Sequence, residues 1–231
     1  MRTDFASQPT RRRTFLRTVA ASAAALGIPW SAGAALGMPS HDAFVTITDP
    51  EPEPPMSDAW LDGIKGKHRQ VFDAVSSNDG WAAVFATTLM DSYNWQNIKD
   101  AAVTPVVVFR HMGMPLALND AMWEKYKIGE FLKVTDPKTS APATRNIFRD
   151  NVVMHPGLTY EALIQRGAVI VACNVALTVL SGMTAQQAGV PADEAKKEWT
   201  ANLLKGVSLA PSGVYAVNRA QERGCTYCYA G

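Results

Sequence analysis

Short continuous apolar runs alternate along this chain with segments whose apolar positions recur every three or four residues. The first pattern suits strands buried on both faces of a sheet, and the second suits helices packed against it. The clearest run is Ala168-Val169-Ile170-Val171-Ala172-Cys173, followed by Asn174 and then by Val175, Ala176, Leu177, Val179 and Leu180 at helical spacing. Cys173 is therefore predicted at a strand-to-helix turn. Pro105-Val106-Val107-Val108-Phe109 is a second buried strand, ending in Arg110-His111. Lys67 to Val75 is a weaker first strand, Val207 to Pro211 a short one, and Cys225 to Ala230 a closing one.

Helices are expected between them. Trp81 to Trp95 presents Val84, Phe85, Thr88, Leu89 and Tyr93 on one side, after a break and cap at Asn78-Asp79-Gly80. Leu118 to Phe131 forms a second helix that packs through Met122, Tyr126 and Phe131, and a long excursion runs from Lys133 to Met154. A short helix begins at a Thr159 cap and stops at Gly167. Another opens at Pro191-Ala192-Asp193-Glu194, with acids at the positive end of its dipole. The last runs from Gly213 to Arg223 between a Ser212 cap and a Gly224 stop. Strands alternating with helices specify an α/β fold with a parallel sheet.

Charge changes the picture at the amino-terminal end. Five of the 22 basic residues (Arg2, Arg11, Arg12, Arg13 and Arg17) fall in the first seventeen positions, against the single acid Asp4, so the remaining chain is about three charges negative. That body offers nothing to nucleic acid. Arg12-Arg13-Thr14-Phe15-Leu16-Arg17 matches the twin-arginine export pattern. An alanine-rich run to Trp30 and the small residues Ala32-Gly33-Ala34 follow it. The expected organisation is a signal peptide over 1–34, a proline-rich leader or tether over 35–65, and one folded domain over 66–231. The mature chain then starts near Ala35, unless the segment stays as an uncleaved anchor. Phe44 to Ile47 could instead form a strap along the folded surface. The twin-arginine translocase is the implied partner during export, and the periplasm or another exported location is the implied destination.

Candidate chemistry centres on Cys173. At the carboxyl end of a parallel strand it faces the crevice where α/β folds bind ligands, beside a helix amino-terminus that favours a thiolate. The same position equally suits a small, inert core cysteine. His111 ends its own strand on the same rim, where it could take the thiol proton, join the thiol in binding a metal, or simply hydrogen-bond to backbone. Asn174 is expected to cap the following helix. With Arg110 and Asn78 it completes the candidate binding residues of the rim. Cys225 and Cys228 form a C-x-x-C, a redox or metal candidate. In an extended strand, however, three residues span about 10 Å, beyond the Cα separation of about 7 Å that a disulfide tolerates, and the side chains face opposite ways. The chain has three cysteines, so an oxidising compartment leaves at least one outside any intrachain disulfide. Trp81, Trp95, Trp123 and Trp199 fall on helices as core or subunit contacts. The sequence has no P-loop, G-x-G-x-x-G, H-E-x-x-H or G-x-S-x-G, which removes support for nucleotide and serine-hydrolase functions.

Several segments together resemble the DsrE/DsrF-like family. They are Val169 to Asn174 with Ala176, Leu177 and Gly182; Leu203-Leu204-Lys205-Gly206-Val207; Pro211-Ser212-Gly213-Val214; and Asn218 to Gly224 before an aromatic strand. The Val106 to His111 strand matches more loosely. The resemblance implies a single-domain sheet of about five strands with helices on both faces, assembled as homotrimers or hexamers. It also implies that Cys173 corresponds to the cysteine that accepts a sulfane sulfur as a persulfide and passes it between donor and acceptor proteins. No cofactor is implied. The C-x-x-C departs from the family, which usually carries aromatic or aliphatic residues there. A non-catalytic binding or assembly module with the same fold is the contrasting expectation.

Overall fold

Five parallel strands form one sheet in the order β6-β5-β2-β1-β7: β1 (His68–Ala74), β2 (Val103–Phe109), β5 (Val169–Cys173), β6 (Ser208–Ala210) and β7 (Thr226–Tyr229). The computed structural model describes residues 56–149 and 158–231. The twin-arginine motif, its cleavage site and the Phe44–Ile47 segment lie outside the described residues. In register, Val71 of β1 stands beside Val106 of β2, and Val108 beside Val171 of β5. Seven consecutive buried residues make β2 the centre of the sheet, as its unbroken apolar run requires.

Helices cover both faces. On one side lie α1 (Trp81–Trp95), the short α2 (Asp120–Lys125), α3 (Ile128–Leu132) and α4 (Tyr160–Gln165), then α5 (Asn174–Ala188) and α6 (Ala192–Ala201). They bury Phe72, Val107, Phe109, Trp123, Tyr126, Leu177 and Trp199 in the larger core. On the other side α7 (Gly213–Glu222) packs Ala216 and Ala220 onto Val71, Val106, Val108 and Val171. Trp60, Leu61 and Ile64 complete that second core. Ala59–Gly63, a 3₁₀ turn, thus belongs to the folded unit, although its place in the sequence suggested leader. Burying two large side chains there is worth about 3 kcal/mol or more, enough to hold the segment on the sheet.

Three local expectations change. The inner face of α1 is Ala82, Ala83, Ala86, Thr87 and Met90, with Val84, Phe85, Leu89 and Tyr93 half-buried at its flanks and Thr88 exposed. Small residues let the helix lie close to the strands, so the bulky ones fill the sides. The helix expected over Leu118 to Phe131 is two short helices separated at Lys127, whose φ of 48° is left-handed. The excursion after Lys133 has defined structure of its own over residues 134–149. It pairs β3 (Thr135–Asp136) with β4 (Ala141–Pro142) and is pinned by buried Asn146, which donates to the carbonyls of Leu116 and Leu118 at 2.9 and 2.8 Å. Among the described residues, no helix is long and apolar enough to cross a membrane.

Candidate functional site

Because all five strands run the same way, their carboxyl ends share one rim. Three of those ends, after β2, β5 and β6, enclose a cavity of about 420 Å³. Arg110, His111 and Met112 enter from the loop after β2. Cys173 enters from the end of β5, and Ser212 and Gly213 from the turn into α7. The remaining wall is aliphatic: Val175, Ala176, Val179, Leu180 and Met183 along α5, and Val214 on α7.

Cys173 itself is 5% exposed. Its Sγ accepts a hydrogen bond from the Ala176 amide at 3.2 Å, so the cysteine rather than Asn174 is the N-cap of α5. The expectation for Asn174 shifts by one residue because Cys173 keeps the extended backbone of the strand, whereas Asn174 is already the first helical residue. The sulfur thus sits at the amino-terminal, positive end of a fifteen-residue helix.

Arg110 is held by a partner that no sequence motif marks. Asp73, 2% exposed, accepts from Arg110 Nε at 2.6 Å and Nη2 at 2.8 Å, a bidentate pair. Tyr227 donates its hydroxyl to Asp73 Oδ2 at 2.9 Å. The guanidinium is held above its ordinary range, first by the Asp73 hydrogen bonds and against the opposing effect of burial; Asp73, Tyr227 and Cys173 also raise it through charge. The Tyr227 phenol is pushed up by burial and then by Asp73, so it remains a donor. Gly213 makes the arrangement sterically feasible, because a Cβ there would overlap the Arg110 stem. The signal in the sequence was Asp73 itself, a charge inside Val71-Phe72-Asp73-Ala74-Val75 that a buried strand tolerates only with a partner.

His111 lines the same cavity, exposed and in left-handed backbone (φ 49°), with no hydrogen bond to Cys173. The rim therefore brings Cys173, His111 and Arg110 together. Asn78 is not among them. Its side chain donates to the Ala230 carbonyl at 3.0 Å and fastens the strand end beyond β7, on the far side of β1 from the cavity. Cys225 and Cys228 are also elsewhere. Cys225 joins the α7 core and Cys228 packs against the opposite core, as odd spacing in an extended segment requires. All three cysteines are free thiols, and among the described residues no group of three or more His, Cys, Asp or Glu could hold a metal.

No family model and no curated protein matches this chain. Among solved structures, it is similar to a protein of unknown function from Methanobacterium thermoautotrophicum, at 17% identity and a TM-score of 0.35, over 70% of this chain and 98% of that one.

Proposed function

We propose that this is an exported protein that handles sulfane sulfur or a small thiol at Cys173, in the manner of the DsrE/DsrF-like proteins it resembles in sequence. The observation that supports it is the lining of the rim cavity, where the Cys173 sulfur, an α-helix amino-terminus and the Asp73-held Arg110 meet. A sulfur carrier needs a thiol that a small donor can reach, and Cys173, although packed into the larger core at 5% exposure, also forms part of the cavity wall. The charged pair fixes one cation beside the site without leaving it free to drift into solvent. Export rests on Arg12-Arg13 and the residues after them, and the periplasm is the destination it implies.

The test is peptide mass spectrometry of protein isolated without reductant and incubated with a sulfane-sulfur donor. An added mass of about 32 Da per sulfur atom on the Cys173 peptide, absent in Cys173→Ser, is the expected outcome. A native thiol that takes up no sulfur and resists alkylation until unfolding would sink the proposal.

A second reading is a non-catalytic assembly module. Val175, Val179 and Met183 form an exposed stripe along α5 and continue into exposed Val214, an apolar face suited to another copy of the chain in a trimer or hexamer. Sedimentation velocity together with the labelling above tests it: a monomer at micromolar concentration would remove this reading, whereas an oligomer disrupted by Val179→Asp whose Cys173 stays unreactive until unfolding would favour it.

A further inference from the structure

We infer that the cavity over Cys173 takes a small, predominantly aliphatic molecule, so that the sulfur handled there arrives as a low-molecular-weight alkyl persulfide rather than on a hydrophilic thiol such as a charged tripeptide. This rests on the sulfur reading of Cys173 for the chemistry, but the ligand class follows from the cavity walls. A volume of about 420 Å³ falls within the ~300–1,000 Å³ of small-molecule sites. Met112, Val175, Val179, Leu180, Met183 and Val214 are half of the cavity's lining residues, and they are the large apolar ones. A ligand with several charges would lose its hydration against them with few groups to replace it: Arg110 already gives Nε and Nη2 to Asp73, Ser212 already caps α7, and the His111 imidazole is the other polar side chain of the lining. An aliphatic body loses nothing by entering and gains by every CH₂ it buries. Val175, Val179, Met183 and Val214 are each more than half exposed. The aliphatic lining therefore continues out to the mouth, where a chain can slide in along α5.

The transfer balances without an external oxidant. The Cys173 thiolate attacks the outer sulfur of R–S–S–H, and the donor S–S bond breaks as a new S–S bond forms on Cys173. R–S⁻ leaves with the electron pair and takes up the proton that Cys173 released. Cys173 ends as a persulfide and the donor as a thiol. Arg110 supplies positive charge beside the sulfurs while negative charge passes between them.

Two measurements separate this inference from the reading beneath it. Methyl NMR of the whole protein titrated with hexyl methyl sulfide, an inert thioether, should move the Val175, Val179, Met183 and Val214 signals. S-methylglutathione at the same concentrations should leave them in place. Met183→Glu, at an exposed position that folding tolerates, should weaken the thioether by about ten-fold or more. Mass spectrometry then compares hexyl persulfide with glutathione persulfide, each generated in situ, as donors to Cys173. Faster labelling by the alkyl donor, by about ten-fold or more, is expected. Equal rates, equal binding of the two thioethers, or no thioether binding because a second copy covers the face would overturn the aliphatic-ligand inference. Thioether binding with no sulfur added to Cys173 from either donor would leave the pocket standing and remove the sulfur chemistry.

Discussion

The most consequential residue contact is the one between Asp73 and Arg110, because it sets a nearly buried carboxylate against a guanidinium that also faces the cavity. Removing one partner of such a pair strands the other charge, which costs about 3 to 5 kcal/mol, whereas the intact pair is worth much less. Arg110→Met should therefore destabilise the fold by about 3 kcal/mol at neutral pH, and Asp73→Asn in the same chain should recover much of that loss; urea unfolding of the two variants measures both. If Arg110→Met alone leaves the midpoint unchanged, the pair is not structural. Sequence placed Cys173, His111 and Arg110 at strand ends correctly, since strand-to-helix turns are marked by where an apolar run stops. It did not show that Asn78 belongs to the neighbouring strand end, or that Tyr227 reaches Asp73. Both depend on β7 lying beside β1, a pairing with no local signature.

At the scale of elements, long buried strands and well-capped helices were legible, and the segments between them were not. The caps of Thr159 on Ala162 and Ser212 on Tyr215 form as their residue types suggest. The ordered stretch after α3 is held by one side chain. Asn146 satisfies two buried carbonyls and accepts from the Phe148 amide, while its own amide donates to Asp120. No periodicity announces such a residue, because it works by hydrogen bonding to distant backbone rather than by filling a face. Asn146→Ala leaves those groups without partners and should cost about 3 kcal/mol. Its expected signature is faster amide exchange through Leu116 to Leu118 and through the β3–β4 hairpin, with the strands of the main sheet unaffected.

Across the whole molecule, an α/β sheet was readable from the alternation of periods, but the division of its two faces was not. That division places Cys225 beneath α7, where burial pushes the thiol up to about 11 from an ordinary value near 9. A raised thiol contributes stability that is complete below the unfolded value and disappears as pH climbs through the folded one. The protein should accordingly lose up to about 3 kcal/mol between pH 9 and 11, a slope that Cys225→Ala flattens in thermal or urea unfolding. The sheet standing between Cys225 and Cys228 has another use. Buried Cys225 can be labelled only when α7 lifts, whereas half-buried Cys228 on the edge strand is open to reagent in the folded protein. The slow reaction then times the opening of the α7 side against the fast one, with natural cysteines serving as clock and reference.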